Sequence, residues 1–273
     1  MMRLIRLAAV CGTLAAALSG STRAAAEDFR VDTEVFNGDE KEPFAESLTL
    51  FAGGRVYDFL LNEPQEITIF DPQAGRFTLL DLPRKLKATI ATADLLDSVF
   101  TLNDLSTKSN DPVFSFAAQP KWTPEFQEFE ENAQSFVRVT LAGGPIEYRA
   151  VGKRPPEPSS ASIYRSASDW HARLNATRAG GMPPESRLSL NRELAERGLI
   201  PTRITRIITP GGRFTEKSEL RSEHLANWTL SGADRQRIAQ AGGYLSDPAF
   251  KSISFKDYRA LAPLPATNEQ AKR

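Results

Sequence analysis

Residues 44–61 read FAESLTLFAGGRVYDFLL, and this stretch decides the fold. Phe44 to Phe51 and Arg55 to Leu61 are rich in branched and aromatic residues, the composition of half-buried strands. Between them Gly53-Gly54 supplies the positive φ that a tight hairpin requires. The same writing extends both ways. Upstream, Phe29, Val31, Thr33 and Val35 alternate with Arg30, Asp32 and Glu34, which marks another strand, and Asn37 to Pro43 forms a turn. Downstream, Glu66 to Phe70 and Arg76 to Asp81 face each other across Asp71-Pro72 and Gly75, and Leu86, Ala88 and Ile90 continue into a sixth strand.

At Thr92 the period changes from two to between three and four. Thr92 is suited to an N-cap, and Leu95, Leu96, Val99 and Phe100 follow at helical spacing. Asp111-Pro112 opens a shorter helix through Ala118. Strands return over Trp122 to Glu130, Ser135 to Leu141 and Ile146 to Val151, and a proline-rich connection occupies 153–160. Ile163, Ala167, Trp170, His171 and Leu174 form the stripe of the next helix, which ends at Gly180-Gly181. Pro183-Pro184 opens a fourth helix, with Leu188, Asn191, Leu194 and Ala195 on its face and Gly198 at its end. Thr202 to Thr209 and Glu219 to Leu230 are strands around the turn at Pro210-Gly211-Gly212, and Ser231 to Asp234 resembles a capping box for a helix carrying Ile238, Ala241 and Leu245. The expected fold is therefore α+β, with about eleven antiparallel strands. A single domain spans 27–262, and a polar tail at 263–273 is expected to be disordered.

Met1 to Ala26 has the form of a cleavable export signal, with Arg3 and Arg6, an apolar run of about a dozen residues and Ala24-Ala25-Ala26. The expected location is periplasmic or secreted. Cys11, the only cysteine, lies within that run, so the processed chain has no disulfide chemistry. Val10 before Cys11 argues against a lipoprotein anchor, which favours a small residue at that place. The whole chain balances 34 bases with 34 acids and has no basic excess to suggest nucleic acid. Charge is uneven along it: residues 27–150 hold 22 acids and 11 bases, whereas residues 151–273 hold 12 acids and 20 bases. The two readings are attraction between halves of one fold and a basic face for a partner.

Familiar catalytic constellations are missing. The two histidines, His171 and His224, fall on the apolar stripe of a helix and the inward side of a strand, where a hydrogen-bonded core histidine is expected. No Gly-x-Ser-x-Gly elbow nominates a nucleophile. The acid clusters Asp39, Glu40, Glu42 and Glu125, Glu128, Glu130, Glu131 lack the spacing of a calcium loop and read as solvated charge. Gly53-Gly54-Arg55 and Gly211-Gly212-Arg213 lead into strands, not helices, and so are not phosphate loops. No catalytic, metal or cofactor residue is assigned, and no cofactor is expected.

The element order, together with Val56-Tyr57-Asp58-Phe59, Ile69-Phe70-Asp71-Pro72 and Gly75-Arg76-Phe77, resembles the outer-membrane lipoprotein carrier (LolA-like) superfamily over Phe29 to Leu245. That resemblance implies an open half-barrel, a strongly curved antiparallel sheet whose concave apolar face is lidded by helices and holds acyl chains. Members usually begin with a helix, whereas this chain enters a strand at Phe29, and the family's functional arginine has no single match here. The segments Asp169 to Asn175 and Leu190 to Leu199 resemble an exported bacterial family that is itself uncharacterised. The leading functional expectation is a non-enzymatic binding or carrier module for an apolar or lipid-like ligand. The alternative is an envelope structural or interaction protein with a protein partner, and a hydrolase, which would place His171 or His224 beside a carboxylate in a cleft, comes third.

Overall fold

The computed structural model describes residues 27–62, 65–212 and 215–261. The expected export signal and polar tail lie outside them. The chain opens with β1 (Phe29–Asn37), β2 (Ala45–Ala52), β3 (Arg55–Leu60), β4 (Glu66–Asp71), β5 (Arg76–Asp81) and β6 (Leu86–Ala91). Two helices, α1 (Thr92–Thr107) and α2 (Pro112–Ala118), lead to β7 (Thr123–Glu131), β8 (Gln134–Ala142) and β9 (Ile146–Lys153). After α3 (Ser159–Ala176) and α4 (Glu185–Glu196) come β10 (Ile200–Ile208), β11 (Ser218–Asn227), α5 (Gly232–Ser246), β12 (Lys251–Ser252) and α6 (Phe255–Arg259).

The fold is α+β. The twelve strands of the described residues form one sheet in the order β12-β6-β5-β4-β3-β2-β1-β11-β10-β9-β8-β7. From β1 the chain steps outward hairpin by hairpin to β6, restarts at the far edge with β7, and returns until β11 docks on the free side of β1. That junction is antiparallel and sets Thr33 opposite His224 and Val35 opposite Ser222. Among the described residues only β12 pairs in parallel, with β6. The two edge strands do not pair with each other, so the sheet is open. Eleven strands are legible in the sequence; the twelfth has two residues, too few for periodicity to register.

Local chemistry explains the turns and caps. Ala52 pairs directly with Arg55, leaving Gly53 (φ +55°) and Gly54 (φ +75°) as a two-residue turn with both residues at positive φ. Ser231 and Asp234 form the reciprocal capping box at the start of α5. Thr92 does something other than cap: Ala91 holds the N-cap position, while the Thr92 hydroxyl donates to the Gly75 carbonyl at 3.1 Å and fastens α1 to the β4–β5 turn. On α1, Leu95 and Val99 are buried but Leu96 and Phe100 are exposed, because only one four-residue stripe meets the body of the protein.

Three apolar clusters hold the described residues together. On one face of the sheet, Phe29, Phe51, Phe70 and Phe77 pack against Ala167 and Leu174 of α3. Phe29 stacks on Phe51 at 4.0 Å and Phe70 on Phe77 at 4.5 Å between ring centroids. Further along the chain, Val139, Leu141, Ile146 and Ile204 pack with Leu190 and Leu194 of α4. The third cluster uses the opposite face of β2 to β5: Leu50, Tyr57, Ile69 and Leu80 meet Ala241 of α5 and Phe250. Helices thus cover both faces, with α5 on the side away from α3. A hydrophobic stripe records that a helix must be covered, but not which side of a sheet covers it.

Candidate functional site

Between the α3 cluster and the α4 cluster the inward residues of the sheet change character. Val31 gives way along β1 to Thr33 and Val35, and neighbouring strands contribute Ser47, Thr49, Asp58, Ser222 and His224. These side chains are too short or too polar to complete an apolar core. What remains is a cavity of about 610 Å³, floored by the sheet and roofed by α3, the first turn of α4 and residues 180–183.

The floor carries a hydrogen-bonded polar strip. His224 Nδ1 lies 3.1 Å from Thr33 Oγ1, and its Nε2 lies 2.9 Å from Ser222 Oγ. Burial drives the His224 pKa down to about 3, and Arg187 pushes it the same way, so the ring is neutral. Two strands away, the Thr49 hydroxyl donates to Asp58 Oδ1 at 2.6 Å. Arg206 projects from β10 on the same side as Ile204, with Leu220 and Tyr148 opposite it on the adjacent strands. Its Nε is buried without a hydrogen-bond partner.

The roof is written at helical spacing. Tyr164, Ser168, His171 and Asn175 line the cavity from α3, one residue along from the Ala167–Leu174 stripe that enters the core. His171 presents its ring to Phe77, with centroids 5.7 Å apart, and its Nε2 is buried and unpartnered. Burial holds its pKa below the ordinary histidine value, against the opposing pull of Asp58. Burial likewise raises the Tyr164 phenol. From α4, Arg187 Nε donates to Asn191 Oδ1 at 3.0 Å, and Asn191 Nδ2 donates to Asp169 Oδ1 at 2.8 Å. Asn191 is only 4% exposed, so this chain fixes the guanidinium over the cavity.

Both histidines picked out in the sequence therefore meet at one cavity. His224 is hydrogen-bonded on the inward side of its strand, as expected; His171 retains an unpartnered nitrogen. Neither forms a catalytic triad: His224 bonds a serine and a threonine, not the carboxylate that orients a base, and no hydrogen bond joins His171 to Asp58. The acids of both expected clusters are exposed. Among the described residues no group of three His, Cys, Asp or Glu is placed to hold a metal ion. No helix among them is long and apolar enough to cross a membrane.

Sequence reasoning missed Asp58, Arg187 and Arg206. A signal for two of them exists: each is a charged residue at an inward position of a strand, Asp58 in step with Val56 and Arg206 in step with Ile204.

No family model and no curated protein matches the chain. Solved structures titled as PNGF-II, in C2 and P21 crystal forms, match it with TM-scores of 0.37 and 0.38 and sequence identities of 6% and 7%. The matches cover 86% of this chain and 32% and 33% of those chains, so this chain spans about a third of their length.

Proposed function

We propose that this protein is an exported, non-enzymatic binding or carrier module whose sheet curves around α3 and whose cavity holds one lipid-like ligand. The carrying observation is the cavity of about 610 Å³ at the seam between the α3 and α4 clusters. Ligand pockets typically occupy ~300–1,000 Å³ and combine an apolar wall with a few placed polar groups. Both ingredients are present: Val31, Val35, Phe51 and Ile204 offer apolar contact, and the histidines, Asp58, Arg187 and Arg206 lie beside them. An amphiphile matches this division better than a plain hydrocarbon, because an apolar ligand would leave His171 Nε2 and Arg206 Nε without partners. The export-signal reading of Met1 to Ala26 supports a location in the periplasm or outside the cell.

The test is titration of the purified protein with the neutral fluorophore N-phenyl-1-naphthylamine. Wild type should give saturable fluorescence with one site. Ala172, which lines the cavity from α3, offers a place to fill it. Ala172→Trp should weaken probe binding at least about ten-fold, equivalent to ~1.4 kcal/mol. A folded wild type without saturable binding, or a folded variant that binds equally well, would refute the proposal.

A further inference from the structure

We infer that the cavity selects ligands with an anionic oxygen head group, and that Arg187 and Arg206 hold that group. The inference rests on the carrier reading and specifies its ligand. The first argument is charge. Arg187, Arg206 and Asp58 all line the cavity, Asp58 accepts from a neutral threonine, and neither arginine has a carboxylate within ion-pair distance among the described residues. Arg221 is also at the rim and its Nε too is buried without a partner, but it stacks on Phe36 at 4.3 Å and pairs with Glu223 at 3.1 Å, so its charge is already engaged.

The second argument is desolvation. Arg206 is half-buried, and a guanidinium donor taken out of water is unfavourable unless it is met; its buried Nε meets nothing within the protein. Arg187 uses its Nε on Asn191, which orients the rest of its planar fork. Arg187 also sits in the first turn of α4, where the helix dipole disfavours a cation and favours an anion. An anionic head between the two arginines would relieve both conditions, while the attached chain follows Val31, Val35 and Ile204. Arginine forks suit carboxylate and phosphate oxygens alike, so the shared chemistry is an oxyanion on an amphiphile.

Competition against bound N-phenyl-1-naphthylamine tests this directly, using dodecanoate, dodecyl phosphate and uncharged 1-dodecanol, with acetate and inorganic phosphate as free anions. Dodecanoate or dodecyl phosphate should displace the probe at concentrations at least about ten-fold below 1-dodecanol, the scale of a charge-assisted hydrogen bond. Arg187→Gln and Arg206→Gln should each erase most of that preference, and Arg187→Lys and Arg206→Lys should retain part of it, with circular dichroism verifying folding. Equal competition by 1-dodecanol, or an unchanged preference in both folded Gln variants, would overturn the inference and leave the carrier reading standing. Acetate or inorganic phosphate competing as well as the dodecyl compounds would assign the arginines to a free anion and overturn the head-group assignment. Absence of probe binding would refute the carrier reading, and this inference with it.

Discussion

His224 should make the protein lose stability in mild acid, and the size of the loss follows from its surroundings. Its pKa is about 3 in the fold, against ~6.5 in an unfolded chain. Above pH 6.5 the ring is neutral in both states and its contribution to stability is complete. As pH falls from 6.5 toward 3, only the unfolded chain takes up the proton, so stability declines; below 3 both states are protonated and the decline stops. At pH 5 the difference spans about 1.5 pH units, or ~2 kcal/mol at 1.36 kcal/mol per unit. His224→Gln removes the titrating ring. Loss of its contacts to Thr33 and Ser222 shifts stability at both pH values alike, so the pH dependence isolates the titration. Urea unfolding followed by fluorescence of Trp122, Trp170 and Trp228 at pH 7 and pH 5 provides the measurement. Wild type should lose about 2 kcal/mol more than the variant between those pH values. The slope from His171, whose pKa is also lowered, persists in both chains and cancels. Equal losses in the two chains would show that the His224 site is wet in solution and refute the reasoning.

Two further predictions concern the frame around the cavity. Phe77 is fully buried, stacked on Phe70 and set against the His171 ring; Phe77→Ala should cost about 3–5 kcal/mol in urea unfolding, and a loss below 1 kcal/mol would mean that this cluster is loosely packed. Gly53 has φ +55° and no atom within 4 Å of an added Cβ, so Gly53→Ala should cost only the backbone penalty of ~1–2 kcal/mol. A thermal melt with no decrease would contradict the hairpin turn assigned to Gly53-Gly54.

How much of this could be read from the sequence depends on the range of each interaction. The β2–β3 turn and the Ser231–Asp234 box were legible because each is written within four residues. Inward and outward positions along strands were legible because alternation encodes them; His224 duly shares its side with Ser222 and Leu220. Pairing of β1 with β11 was not, since residues about 190 apart choose each other through the assembled sheet. The position of α5 on the far face was hidden for the same reason. The candidate site was half visible: two histidines stood out by rarity, whereas Asp58, Arg187 and Arg206 are common residue types whose importance comes from facing a cavity. Asn191 was placed on its helix face with Leu188, Leu194 and Ala195 without a role, and the structure gives it one in fixing Arg187.

The space between α3 and the β1–β11 junction is proposed as a ligand site, not a packing fault. Native mass spectrometry of the protein purified from cells, under conditions that preserve noncovalent complexes, tests it most directly. Wild type should carry a one-to-one adduct that collisional activation releases as an anionic amphiphile, and Ala172→Trp a greatly reduced one. Bare protein mass for wild type, after the same preparation has been offered dodecanoate, would contradict it.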